Sequence, residues 1–219
     1  MKKLILGLFI LTMVNVQAQY SIFGGYSMLY GFNASKAFSG LHIGGEFPKS
    51  DAVSFYGKFA FYPGQRSSRT NLATIVAKDV MTNPYVMDIN YRDKLNYFTI
   101  DGGTRYYVIG TYDSGFSLYG GTNLILAVSQ VKLIYDNFDR NLYTIPDEAD
   151  YPDKGSIISF GFGLQGGMKN TFPGVGTVYA DLFMNYFILA QGNNNTAKTT
   201  TMFSPLLIGF NLGFRKDFY

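Results

Sequence analysis

Residues 20–33 read YSIFGGYSMLYGFN. Tyr20, Ile22, Gly24, Tyr26, Met28, Tyr30 and Phe32 form one alternate set, apolar and aromatic apart from its glycine. Ser21, Phe23, Gly25, Ser27, Leu29, Gly31 and Asn33 form the other, mostly small or polar. A two-residue period with unlike faces is the signature of a β-strand, because successive side chains point to opposite sides.

The pattern recurs outward from this stretch. Leu41, Ile43, Gly45 and Phe47 alternate with His42, Gly44 and Glu46; Val53, Phe55, Gly57, Phe59 and Phe61 alternate with Ser54, Tyr56, Lys58 and Ala60. Phe98 to Val108, Phe116 to Tyr135, Ile158 to Met168, Val178 to Ile188 and Leu206 to Arg215 repeat it. This predicts about eight strands, most of them about nine residues or longer, the length a tilted membrane-crossing strand needs. Strands of soluble sandwiches usually run about 5–6 residues. Short links (48–52, 110–115, 170–176) alternate with long ones (66–94, 136–155, 191–202). That asymmetry is expected of an outer-membrane barrel, with short turns on the periplasmic side and both termini beside them.

Composition agrees. Charged residues are only 15% and aromatics 17% of the 219, with 20 Phe, 18 Tyr and 25 Gly, which suits strands better than helices. A net charge of +3 argues against a nucleic-acid partner. The absence of cysteine excludes disulfides, thiolate metal sites and a thiol nucleophile. Residues 1–18 read as a secretory signal: Lys2 and Lys3, an apolar run from Leu4 to Val14, then Val16-Gln17-Ala18. The expected mature chain is therefore a single barrel domain, residues 19–219. It is destined for the outer membrane, with lipid and the barrel-assembly machinery as its first partners.

The sequence closes on an assembly signal, Asn211, Gly213, Phe218 and Tyr219, in which an alternating strand ends on interfacial aromatics. Together with residues 38–51, 94–100, 118–123 and 161–167, this ending resembles the small outer-membrane β-barrels of Bacteroidota, the PorT-like or porin-family barrels. The resemblance implies an eight-stranded antiparallel up-and-down barrel with long outer loops. Its motifs are strand and turn patterns, so it implies location rather than chemistry. The segment around residues 70–83 departs from the family pattern.

Candidate chemistry is sparse. The sole histidine, His42, shares a strand face with Glu46 but lies about 13 Å from it, too far for a catalytic pair. Glu46, Lys58, Asp101, Arg105 and Asp181 fall on inward phases and are expected to form one ion-paired network plugging the lumen, since unpaired buried charges are costly. Residues 136–155 hold six acids, among them Asp147, Glu148 and Asp150, against two bases, without calcium-loop spacing. Leu72, Ile75 and Val76 lie near helical spacing and predict a short amphipathic helix on the rim. These two segments are candidate contacts for another envelope protein. No cofactor is expected. The function expected is structural or interactive, as an accessory subunit of an envelope assembly or secretion machine. The competing classes are an outer-membrane enzyme acting on lipid or peptide and a soluble secreted barrel binding a small ligand.

Overall fold

A computed structural model describes residues 19–32, 36–66, 70–113, 115–146, 154–192 and 204–218. The signal segment, Asp147, Glu148, Asp150 and Tyr219 lie outside these residues. The described chain is all β. Its strands are β1 (Tyr20–Gly31), β2 (Lys36–Ser50), β3 (Val53–Arg66), β4 (Asn71–Ala77), β5 (Val86–Ile109), β6 (Phe116–Tyr135), β7 (Tyr143–Thr144), β8 (Lys154–Phe172), β9 (Gly176–Gly192) and β10 (Leu206–Phe218).

Eight of these ten strands form a ring. The order β3-β2-β1-β10-β9-β8-β6-β5 is antiparallel throughout and closes through β3–β5. The seam between the first and last strands runs from Tyr20 opposite Phe218 to Gly31 opposite Leu207. Closure removes every sheet edge from the ring, the condition for crossing a bilayer with strands. Inside, bulky rings are seated against glycines. A Cβ at Gly44 would lie 2.4 Å from the Phe23 ring, and one at Gly213 would lie 2.5 Å from the Tyr179 hydroxyl.

The aromatic face points outward. Phe55, Phe59, Phe160, Phe162 and Phe214 are all exposed, as are Leu41, Ile43, Leu164 and Leu182. A soluble barrel would bury this face. On β5 the outward apolar run begins at Phe98 and ends at Val108, with outward Arg92 and Lys94 beyond it. That run covers about 33 Å of strand, or about 25 Å of height at a tilt of about 40°, the height of an outer-membrane apolar band.

Two sequence expectations are corrected. Much of the long link 66–94 is strand: β5 starts at Val86 and is 24 residues long. The segment expected to be an amphipathic helix is β4, which pairs with β5 from Asn71 opposite Tyr91 to Val76 opposite Val86. Its period is two: Ala73, Ile75 and Ala77 are buried while Leu72 and Thr74 are exposed. Leu72, Ile75 and Val76 therefore do not form one stripe. β4 also carries the two-residue β7, so a lobe of β4, β7 and the outer halves of β5 and β6 rises above one side of the ring.

The interior is layered. Toward the termini it is ionic and aromatic. Toward the outer end it is an apolar core including Leu29, Phe38, Tyr62, Ile75, Leu95, Tyr97, Val131 and Leu207.

Candidate functional site

The ionic layer is built by inward positions on six strands. Glu46 on β2 is fully buried and is the centre. Arg105 Nη1 on β5 donates to Glu46 Oε2 at 2.8 Å, and Arg105 Nη2 donates to Asp181 Oδ2 on β9 at 3.2 Å. Arg215 Nη1 on β10 reaches the same Glu46 oxygen at 3.4 Å, and its Nε sits 2.9 Å from Asp217 Oδ1. The other Glu46 oxygen accepts bonds from the hydroxyls of Ser54 and Tyr107, at 2.5 and 2.7 Å. Tyr119 donates to Asp181. The Arg105 guanidinium is held among four rings, its carbon 5.3 Å from the centre of Phe23, 4.7 Å from Tyr56, 5.0 Å from Tyr119 and 5.9 Å from Tyr179.

Lys58 and Asp101 stand apart. They face each other across β3 and β5 in register, and Lys58 Nζ lies 3.4 Å from Asp101 Oδ2. By direct ion pairs the five residues named from the sequence fall into two groups, Glu46–Arg105–Asp181 and Lys58–Asp101, with the Tyr56 ring between Asp101 and Arg105. Asp101 and Arg105 are four residues apart, about 13 Å along one strand, and each pairs with what lies at its own height.

Three contributors were missed in the sequence: Arg215, Lys169 and Tyr112. The turn between β5 and β6 folds back into the ring's mouth, burying Tyr112 to 1% exposure. The Tyr112 carbonyl accepts bonds from Lys169 on β8 and from Arg215 Nη2, the latter at 3.1 Å. Its ring lies 4.2 Å below the Arg215 guanidinium carbon, and its hydroxyl bonds to Ser21. The turn is a stopper held by two cations. Arg215 and Lys169 occupy inward phases and were legible as such, but only the folded turn reveals what they hold.

Lys58, Arg105, Lys169 and Arg215 balance Glu46, Asp101, Asp181 and Asp217, so this layer is neutral as a set. His42 is buried beside it, with Nε2 2.5 Å from the Tyr179 hydroxyl. Closely packed charges of this kind, most of them ion-paired, hold a fold together, and the interior of an eight-stranded ring is filled by side chains.

The C-terminal residues sit at the seam. Asn211 is buried and accepts a 2.6 Å bond from Ser27 on β1, while Phe218 stacks on Tyr20 with ring centres 5.2 Å apart. In the candidate contact segments, Ile75 is fully buried within the lobe, whereas Leu72 is exposed. The most exposed apolar residues of the lobe are Val80 and Met81 at the β4–β5 turn, at 82% and 91%.

Neither a family model nor a curated protein matches this sequence. Solved structures do match. Neisserial surface protein A is similar with a TM-score of 0.53 and 12% identity, over 92% of this chain and 97% of that one. A major outer membrane protein from Thermus thermophilus gives 0.50 and 13%, over 92% and 100%. At these identities the likeness concerns the fold alone. Ring closure, outward apolar belt and structural likeness together identify the architecture of a small eight-stranded outer-membrane β-barrel.

Proposed function

We propose that this protein is an integral outer-membrane barrel without chemistry of its own, whose work is to hold the outer lobe at the cell surface for another envelope protein to bind. The observation that carries this is the division of labour in the molecule. The ring is closed inside by paired charges and a stopper, so its interior offers no wide passage. The lobe is an added structure outside the ring's own pairing, rising beyond the apolar belt. A plug alone would not need it. Exposed apolar side chains on a rigid support are typical of contact surfaces. In this reading Val80, Met81 and Leu72 make the contact, and the acidic run Asp147, Glu148 and Asp150 supplies charge to it. The accessory-subunit role in an assembly or secretion machine follows from the same reading.

The test is co-purification from detergent-solubilised membranes, after in-cell cross-linking. Wild-type protein is expected to bring down a defined envelope protein, and Val80→Asp with Met81→Asp is expected to abolish it while the barrel still folds. An unchanged set of co-purifying proteins would refute the docking role of this turn.

A further inference from the structure

Basic residues form a row across four neighbouring strands. Arg66 on β3 is in register with Lys94 on β5, Lys94 with Lys132 on β6, and Lys132 with Lys154 on β8. At about 4.8 Å between strands, the row is about 14 Å wide. Arg66, Lys94 and Lys132 are exposed. Lys36 on β2 joins the row's end, its Nζ donating to the Arg66 carbonyl. Among the described residues no carboxylate pairs with Arg66, Lys94 or Lys132. Like charges directly opposite on adjacent strands repel, so the row destabilises the sheet unless an anion from outside answers it.

The tiers beneath the row set its level. One outward step toward the termini, Asn96 donates to Gln130 at 3.3 Å, and Ser156 follows in register on β8. One step further, Phe61, Phe98, Val128 and Ile158 are in register and begin the apolar belt. Phe61, Phe98 and Ile158 are exposed. Lys94 and Phe98 are four residues apart, about 13 Å of strand, or about 10 Å of height at a tilt of about 40°. Long cationic side chains at that level reach lipid headgroups, while the apolar tier below meets acyl chains. Lys94 leans toward the belt. Its stem crosses Gly64, which lies on the membrane side of Arg66, and a Cβ at Gly64 would be 2.7 Å from Lys94 Cε.

We propose that Arg66, Lys94 and Lys132, in a row continued by Lys154, bind a phosphorylated lipid of the outer leaflet. Its phosphates meet the cations, and its acyl chains lie on Phe61, Phe98 and Ile158 below. A row this wide suits a headgroup carrying two phosphates better than one carrying a single phosphate, because more charge-assisted hydrogen bonds form at once. The continuity of cations with an exposed apolar tier favours a lipid over a soluble anion, which would use the cations alone. This site is separate from the partner contact at Val80 and Met81, and either can hold without the other.

Diphosphoryl lipid A and its monophosphoryl form serve as probes. Each is added to the full chain in dodecyl maltoside micelles, and bound lipid is counted by native mass spectrometry. The diphosphoryl lipid is expected to bind saturably and several-fold more tightly than the monophosphoryl one. Lys94→Gln with Lys132→Gln is expected to lose at least tenfold in affinity for it. Lys49→Gln with Lys216→Gln removes the same charge from exposed positions at the opposite end of the barrel and is expected to change little. Heat-modifiable migration shows that both variants are folded. Millimolar pyrophosphate is expected to leave the lipid bound. Equal affinity for the two lipids would overturn the proposal, as would equal affinity of wild type and the Lys94/Lys132 variant. Equal losses in the two double variants would mean unspecific attraction, and displacement by pyrophosphate would mean a phosphate site without a lipid; either result also overturns it.

Discussion

Arg105 and Glu46, 59 residues apart in the chain, meet at 2.8 Å with side chains no more than 4% exposed. Glu46 also answers Arg215, so one carboxylate holds two guanidinium groups. Glu46→Gln leaves both cations under-compensated in a closed space. It is expected to cost about 3–5 kcal/mol, the penalty of breaking a buried pair. Urea unfolding in detergent, followed by heat-modifiable migration, measures it.

The Lys58–Asp101 pair offers a cleaner case because it shares no ion pair with the Glu46 cluster. Lys58→Met alone strands a buried carboxylate and is expected to destabilise strongly. Lys58→Met with Asp101→Asn removes both charges and is expected to recover much of the loss. A double variant no more stable than the single one would show that Asp101 is not the residue Lys58 neutralises.

Phe162 projects outward from the middle of β8 and is 50% exposed. Phe162→Arg is expected to cost about 2–4 kcal/mol in a lipid-embedded barrel, as for cations at the bilayer midplane. Reversible folding into lipid vesicles measures this. Unchanged stability would mean that this face does not meet hydrocarbon.

In the stopper, the contributions of ring and hydroxyl can be separated. Tyr112→Phe keeps the ring beneath Arg215 and loses only the bond to Ser21, for about 1 kcal/mol. Tyr112→Ala removes the packed ring as well and is expected to cost about 3–5 kcal/mol. The same urea midpoints distinguish the two.

Asp93 makes the lobe sensitive to pH. Its carboxyl is raised by burial, so its contribution to stability is fully present below the ordinary carboxylate range. That contribution is lost as pH rises through the raised value. Hydrogen exchange of β4 and the outer half of β5 is expected to speed up over that interval in wild type. Asp93→Asn, which cannot ionise, is expected to flatten the dependence.

The ring was legible because an outward face in contact with hydrocarbon must be apolar at every second position, as from Tyr20 to Phe32 or Phe98 to Val108. The lobe was harder to read, for two local reasons. In β5, Ile89, Tyr91, Leu95 and Tyr97 alternate correctly, but Asp93 interrupts them with a charge on the inward phase. In β4, the seven residues NLATIVA fit both periods: Leu72, Ile75 and Val76 suit a helix, Ala73, Ile75 and Ala77 a strand. Over so short a span pairing decides, and β5 supplies it. Inward charges were legible by phase. Which of them meet was not, since Glu46 on β2 touches Arg105 on β5 and Arg215 on β10 across the lumen. That depends on how the closed sheet tilts and staggers.

The β1–β10 seam bears on the order in which this molecule comes together. Tyr20 meets Phe218, and Arg215 meets Glu46 from 169 residues away. Neither contact is available to a growing N-terminal portion, so the early strands wait with an unfinished edge and a half-answered carboxylate until the last strand arrives. Such distant pairings make closure slow and late, and stability appears nearly all at once when it occurs. During that interval the open edge is a template on which other chains can pair, so the unfinished sheet is the stage at which this topology is most prone to aggregate.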